Sequence, residues 1–203
     1  MTKLGYEYRI REILKYVKGK KVLDLGCVQH SSEKANAEDW LHKILAKHAS
    51  YILGVDILED EVKKLRDMGY NVVAADVEKM DLPEKDFDVI VAGELIEHLS
   101  NPGLFLENCR KHLRDGGLLI ITTPNPFCFL FVRKSIVNNL KINPEHVAWY
   151  DEITLKQLLE RYKFEPVEIK YLEPPQWGIS KILYKLGFRK FGSLNLFAVF
   201  KKI

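Results

Sequence analysis

The 203-residue chain has few cysteines, no long apolar run and no excess of one charge sign. Its three cysteines, Cys27, Cys109 and Cys128, are odd in number and widely spaced, so we expect reduced thiols in a cytoplasmic protein rather than a disulfide framework. No apolar run approaches the roughly 20 residues that span a bilayer. The charged amino terminus does not resemble a secretory signal peptide.

Charge and composition limit the partners that we expect. The chain carries 31 basic and 28 acidic residues, which give a net charge of +3. A dedicated nucleic-acid-binding domain has a stronger positive charge, so the composition disfavours nucleic acid as the partner. With 47% hydrophobic residues the chain can bury one sizeable core, and we expect a single domain over 1–203.

Strand and helix patterns alternate along the first 122 residues. Apolar, β-branched runs predict strands at 21–26, 51–55, 71–74, 87–91 and 118–122. Apolar residues at helical spacing predict helices at 6–17, 38–48, 59–68 and 101–114, the last with Asn101 as its N-cap. Asp151 is the predicted N-cap of a later helix that ends at Tyr162. This alternation is typical of a doubly wound, mostly parallel α/β sheet. Two later strands, 167–172 and 194–200, lack a full-length crossover helix between them and predict a closing antiparallel hairpin.

Three aspartates, Asp24, Asp56 and Asp76, accompany the ends of successive predicted strands. Because the carboxyl ends of parallel strands share one edge of a sheet, we expect the three carboxylates on the same edge. Asp56 suits either the hydroxyls of a ribose or the N-cap of the next helix. Asp76 suits either an adenine amino group or a solvated loop.

The first strand ends in a glycine turn, Gly26, whose backbone N–H groups can face an anionic or polar ligand. The alternative is a simple strand-to-loop turn. A generic dinucleotide fingerprint requires further glycines where Val28 and Ser31 stand, which disfavours a pyrophosphate cradle. The neighbouring Cys27 has no base close in sequence, so packing is favoured over a nucleophilic role.

The stretch with the most candidate site residues is 87–99, FDVIVAGELIEHL. A buried strand ends at Gly93 and is followed at once by Glu94, Glu97 and His98. If a helical turn begins here, the positions i, i+3 and i+4 share one face, and two carboxylates and one imidazole converge. The end of a central strand in an open α/β sheet is where ligands bind.

Together these motifs resemble the class I S-adenosylmethionine-dependent methyltransferases. The matching segments are 22–26, 54–56, 75–76, 87–99, 116–120 and 123–125. Residues 146–159 resemble the small-molecule subgroup related to ubiquinone O-methyltransferase, whereas Val28 and His30 stand where the family usually has glycines. The resemblance implies a seven-stranded Rossmann-like sheet with one antiparallel strand, and an enzyme that uses S-adenosylmethionine.

The resemblance also implies site roles. The implied cofactor-binding residues follow strand ends and are Asp24, Gly26, Cys27, Asp56, Asp76, Val77 and Glu94. Of these, Asp56 would bind the ribose hydroxyls, and Asp76 and Val77 would flank the adenine. The others would hold the methionine moiety, with Glu94 near the transferred methyl group.

A further resemblance concerns a metal. The residues Glu94, Glu97, His98 and His146 are similar to the metal-binding set of small-RNA 3′-end 2′-O-methyltransferases. Such a set suits Mg²⁺, Mn²⁺ or Zn²⁺, which would acidify a substrate hydroxyl. Alternatively, Glu97 and His98 brace the end of the sheet through hydrogen bonds. His98 and His146 are also the candidate catalytic bases for an oxygen acceptor, with a structural role of His146 as the alternative.

Two segments, 127–144 and 173–192, lie outside the resemblance and are predicted to cap the acceptor pocket. Both combine aromatic and basic residues. The alternative for the first segment is contact with RNA or a membrane surface, and the alternative for the second is a dimer contact. We expect O-methyl transfer to a small-molecule or glycan-like hydroxyl. The alternative functions are a metal-dependent RNA 2′-O-methyltransferase and a non-catalytic binding protein on the same fold.

Overall fold

A computed structural model describes residues 3–29, 31–172 and 178–203. Their strands form one sheet in the order β3-β2-β1-β4-β5-β7-β6. The strands are β1 Lys21–Leu25, β2 Tyr51–Asp56, β3 Val72–Ala74, β4 Phe87–Gly93, β5 Leu113–Pro124, β6 Phe164–Leu172 and β7 Asn195–Lys202. The first five are parallel, and β7 is antiparallel to both β5 and β6. The predicted mostly parallel sheet with a closing antiparallel hairpin is confirmed.

Helices cover both faces of the sheet. They are α1 Lys3–Val17, α2 Leu41–Ala46, α3 Glu59–Asp67, α4 Pro102–His112, α5 Phe129–Ile136, α6 Glu152–Arg161, α7 Ile179–Lys185 and α8 Arg189–Gly192. One core cluster contains the apolar side chains of α4 and α6, and a second contains those of α1 and α2. Among the described residues, no helix is both long and apolar enough to cross a membrane.

Two helix starts test the capping predictions. Asp151 caps α6 as expected, because its Oδ1 accepts hydrogen bonds from the backbone N–H groups of Ile153 and Thr154 at 2.7 and 2.8 Å. Asn101 is the N-cap residue of α4, as predicted, although its side chain forms no capping hydrogen bond. Its backbone N–H and its Nδ2 instead both donate to the carboxylate of Glu78, each at 2.9 Å.

The two segments predicted as caps carry α5 and the pair α7 and α8. Asn125, directly after β5, joins them, since its Nδ2 donates to the carbonyl oxygens of Lys190 and Ser193 at 2.7 and 2.8 Å. The start of the second segment, 173–177, lies outside the described residues, as does His30. The single-domain organisation and the capping role stay predictions.

The packing around Gly54 in β2 gives a test of the fold. A Cβ there would lie 2.7 Å from Cε1 of His42 and 2.8 Å from both Sγ of Cys27 and Cγ1 of Val72. We expect Gly54→Ala to lower the free energy of unfolding by about 1–3 kcal/mol, the usual cost of overpacking. Chemical denaturation measures it, with Ser50→Ala on the exposed turn before β2 as the control. A variant as stable as the wild type would contradict this packing.

Candidate functional site

The carboxyl ends of β1, β2, β4 and β5 meet at one edge of the sheet. Leu25 lies beside Val55 on one side and Ala92 on the other, and Gly93 lies beside Thr122. The segments that follow these strands therefore converge on a common region. This edge carries most of the residues that the sequence singled out.

Hydrogen bonds hold the loop after β1 in place. Gly26 has a φ of +75° and donates its N–H to the carbonyl oxygen of Val55 at 2.8 Å. The N–H of Val28 donates to Oδ2 of Asp56 at 2.9 Å. Nε1 of Trp40 donates to the carbonyl oxygen of Cys27 at 2.8 Å. The positive φ explains glycine at position 26, because side chains there are strained.

The side chains after Gly26 point into the protein. Cys27 and Val28 are buried in an apolar cluster with Trp40 and Val62 of α3. Val28 therefore fills core space beneath α3, although it stands where the resembled family usually has glycine. Burial raises the pKa of the Cys27 thiol far above its ordinary value, so the thiol stays neutral and unreactive near pH 7.

Asp24 is buried against a histidine that sequence reasoning missed. Its Oδ2 lies 2.9 Å from Nδ1 of His42, and both side chains are almost fully buried. Burial raises the pKa of Asp24 despite this partner. His42 belongs to the inward face of the second helix beside Trp40 and Leu41, and a polar residue within that apolar stripe was the available signal.

The loop after β3 carries the two residues expected to flank an adenine. Oδ1 of Asp76 accepts a hydrogen bond from the N–H of Glu78 at 2.9 Å, and Oδ2 lies 3.2 Å from Nζ of Lys79. The Asp76 carboxylate remains partly exposed. Val77 packs into the main core, and its carbonyl oxygen accepts a hydrogen bond from Nδ2 of Asn108 at 3.1 Å.

The side chain of Glu94 lies apart from those of Glu97 and His98. The φ of Glu94 is +54°, which is uncommon for a residue other than glycine, and its N–H donates to the carbonyl oxygen of Thr122 at 2.9 Å. Its Oε1 lies 3.4 Å from Nη1 of Arg9, a buried residue of α1. No sequence signal identified Arg9, because the contact arises only when α1 docks on the sheet. The expected shared helical face is absent, since the helical turn spans only Ile96–His98.

Glu97 has a buried carboxyl group in which only one oxygen is hydrogen-bonded among the described residues. Its Oε2 accepts a hydrogen bond from Oγ1 of Thr123 at 3.0 Å, whereas its enclosed Oε1 has no hydrogen-bond partner among the described residues. Burial first, and then the charge of Glu94, raise the pKa of Glu97 to about 8. The backbone carbonyl of Glu97 accepts hydrogen bonds from the N–H groups of Val147 and Ala148 at 2.9 and 3.2 Å.

Those backbone bonds bring His146 to His98. The two imidazole rings lie 4.6 Å apart, centroid to centroid, at an interplanar angle of 87°. One potential ligand atom each from Glu97, His98 and His146 lies within 4.8 Å of the others. Glu94 stands outside this group. Burial lowers the pKa of His146, which favours the neutral imidazole.

This donor set fits a divalent cation. A carboxylate and two neutral imidazoles are ligands that Zn²⁺ and Mn²⁺ accept. The enclosed, unpartnered Oε1 of Glu97 is the observation that favours a ligand at this place. The sequence predicted four ligands, and the structure brings three of the four together.

Comparison with known proteins gives an independent result. A family model described as a methyltransferase domain matches residues 5–169. A probable S-adenosylmethionine-dependent methyltransferase of Mycolicibacterium smegmatis is 28% identical over 149 residues, 72% of this chain and 52% of that protein. A ubiquinone biosynthesis O-methyltransferase of Coxiella burnetii is 31% identical over 124 residues, 55% of this chain and 49% of that protein. The chain thus spans about half the length of these curated relatives.

Solved structures share the fold. An S-adenosylmethionine-dependent methyltransferase from Archaeoglobus fulgidus has a TM-score of 0.71 at 24% identity and covers 96% of this chain and 91% of its own. Magnesium protoporphyrin IX methyltransferase from Synechocystis, solved with bound S-adenosylhomocysteine, has a TM-score of 0.67 at 13% identity and covers 98% of this chain and 84% of its own. At these identities the likeness concerns the fold alone.

The buried Glu97 gives a pH-dependent stability. Because its folded pKa of about 8 exceeds the ordinary 4.5, the folded state holds the proton more tightly. The carboxyl therefore makes the free energy of unfolding fall as the pH rises from about 4.5 to about 8. We expect Glu97→Gln to reduce this fall, measured by denaturant unfolding between these pH values with a chelator present.

The control for this measurement is Glu84→Gln on an exposed loop. It should follow the wild-type pH dependence. A wild type and a Glu97→Gln variant with parallel pH dependence would show that Glu97 titrates in its ordinary range.

Proposed function

The chain belongs to the S-adenosylmethionine-dependent methyltransferase family, and from this premise we propose that it transfers the cofactor's methyl group to a hydroxyl of a small-molecule or glycan-like acceptor. The observation that carries the proposal is the convergence of Gly26, Asp56 and Glu94 at one edge of the parallel sheet. Ligands bind at this edge in open α/β folds. Family membership alone does not specify the acceptor or its reacting atom, and both are part of the proposal.

The glycine turn and Asp56 suit a nucleoside with a charged amino-acid tail. Gly26 leaves the backbone open where a Cβ would approach Leu95 to 3.3 Å. Asp56 holds the loop after β1 through Val28, and its carboxylate oxygens have lone pairs left for ribose hydroxyls. Glu94, and Asp24 beside His42, would offer carboxyl oxygens to the ammonium group of the methionine moiety.

S-adenosylmethionine supplies an electrophilic methyl carbon on a sulfonium centre, so the protein has to align the acceptor and exclude water. In such a transfer the carbon–sulfur bond breaks as a carbon–oxygen bond forms, and the acceptor hydroxyl loses its proton. The neutral imidazole of His146 is suited to take that proton. His98, in ring contact with His146, is the second candidate base.

The group of Glu97, His98 and His146 supports a second candidate function, a metal-dependent RNA 2′-O-methyltransferase. A divalent ion held there would lower the pKa of a coordinated hydroxyl and so replace a protein base. The net charge of +3 favours a small acceptor over RNA. A protein that binds S-adenosylmethionine without chemistry is the outcome if neither acceptor reacts.

Asp56 provides the test of the cofactor site. We expect the wild type to bind S-adenosylhomocysteine in isothermal titration calorimetry. Asp56→Asn should bind about 10–100-fold more weakly, because a charged hydrogen bond to the ribose is lost while the shape is kept. The matched control is Asp60→Asn on the exposed first turn of α3, which should bind as the wild type does. Absence of heat with the wild type at millimolar ligand would overturn the enzyme proposal.

His146 provides the test of the metal group. We expect Mn²⁺ to bind the wild type, and His146→Ala to weaken that binding at least about tenfold, because one of three donors is lost. His48→Ala, a histidine exposed after α2, is the control. Calorimetry with Mn²⁺ measures both variants. Methyl transfer that continues at full rate in a chelator would exclude a metal mechanism and leave His146 as the base.

A further inference from the structure

Helices α5, α7 and α8 form a surface whose exposed side is unusually apolar. Half of the large apolar side chains exposed in the described chain lie on it. They are Val132, Ile136, Val137, Ile142, Ile179, Ile182, Leu186, Phe188 and Phe191. The most exposed are Ile136, at 76%, and Leu186, at 67%. We call this set, with the helices that carry it, the α5–α7–α8 surface.

The apolar residues of α7 and its end form a stripe that faces away from the protein. Ile179, Ile182 and Leu186 are spaced at i, i+3 and i+7 and therefore share one helix face. All three are exposed, whereas Ser180, on the opposite side, is buried. Helix α5 likewise has no buried residue. Ordinary surface helices turn their apolar stripe toward the core, so these two present an unpartnered face.

The two segments act as one surface because they are joined beneath it. The buried Cys128 thiol at the start of α5 lies beside the buried Ser180 side chain of α7. Nδ2 of Asn125 donates to the carbonyl oxygen of Lys190 at 2.7 Å, and Nζ of Lys190 lies 4.3 Å from the ring centroid of Phe127. The close approach of Gly192 to the backbone of Tyr184 packs α8 onto α7.

The charge of this surface has one sign. Residues 127–144 and 178–192 contain no aspartate or glutamate, although the chain has 28. Their basic residues are Arg133, Lys134, Lys141, Lys181, Lys185, Arg189 and Lys190. Since the whole chain has a net charge of only +3, the rest of it is net acidic and this surface is its concentrated positive region. Lys190 is ion-paired with Glu152 of α6 at 2.7 Å, and the other basic residues keep these segments net positive. Exposed apolar groups accompanied by an excess of cations are complementary to an anionic bilayer surface.

We propose that the α5–α7–α8 surface docks on the surface of an anionic lipid bilayer, with its aliphatic side chains entering the headgroup region and its cations against lipid phosphates. RNA fits less well, because isoleucine, valine and leucine, unlike aromatic rings, offer bases no stacking surface. A second copy of the chain fits less well, because the same positive charges would face each other.

The surface stands beside the candidate site. Pro124, at the end of β5, and Leu172, at the end of β6, both lie opposite Asn195 of β7, so α5 and α7 leave the sheet from the edge that carries Gly26 and Glu94. Docking would therefore bring the bilayer close to this edge of the sheet. Resting on the proposed function, it would place the site near an acceptor dissolved in the membrane.

Vesicle cosedimentation of the full chain tests the proposal. We expect it to sediment with vesicles of equal phosphatidylglycerol and phosphatidylcholine, to stay in solution with phosphatidylcholine alone, and to be released by high salt. Ile136→Ser combined with Ile182→Ser should weaken binding about tenfold or more, because two exposed apolar anchors are lost. Lys185→Gln should weaken it about fivefold.

Matched controls lie on α3 and at its end. Lys63→Gln and Met68→Ser remove an exposed cation and an exposed apolar side chain from another face and should bind as the wild type does. Thermal unfolding shows whether each variant is folded, and S-adenosylhomocysteine binding is measured separately, so a failure of the cofactor site is distinguishable. The proposal is overturned if the wild type ignores anionic vesicles, or if the double variant binds them equally well. It is also overturned if the surface instead mediates dimerisation or tighter binding of a polyuridylate.

Discussion

Strand β1 lies between β2 and β4 at the centre of the sheet, and the candidate site depends on that parallel pairing. It sets Leu25 beside both Val55 and Ala92, so that the three following segments emerge together. The Val28 N–H then reaches Asp56, and the Glu94 N–H reaches Thr122 of β5. Each of these bonds crosses from one strand end to the next. The positions of the site residues are therefore set by the register of these four strands.

Sequence periodicity predicted the sheet well because parallel strands buried on both faces are short, β-branched apolar runs. For the same reason it placed Gly26 and Asp56 at the ends of two strands, because both directly follow such a run. It missed Arg9 and His42, since each meets its carboxylate partner only after a helix docks on the sheet. It placed Glu94 with Glu97 by assuming helical geometry, and a left-handed residue at position 94 was not visible in the sequence. The local sequence pattern predicts helices and strands, whereas side-chain contacts between them become known only from the folded structure.

Glu97 links the site to the segment that follows α5 through its backbone and its buried side chain. Its backbone carbonyl binds Val147 and Ala148, and its side chain binds Thr123 of β5. Glu97 thus joins the end of β5 to the loop that carries His146. Residues 137–145 join α5 directly to the loop that carries His146, so the α5–α7–α8 surface and His146 are close together in the chain.

A cation at the proposed metal group would compete with the proton on Glu97. With a pKa of about 8, the carboxyl is mainly neutral at pH 7, since burial and Glu94 together outweigh the nearby Arg9. A metal ligand has to be ionised, so binding of a metal by Glu97, His98 and His146 would release a proton and would strengthen with rising pH. Any positive charge beside Glu94, a sulfonium included, would likewise favour the ionised carboxylate of Glu97. The charge state of Glu97 would therefore depend on whether such a ligand is bound.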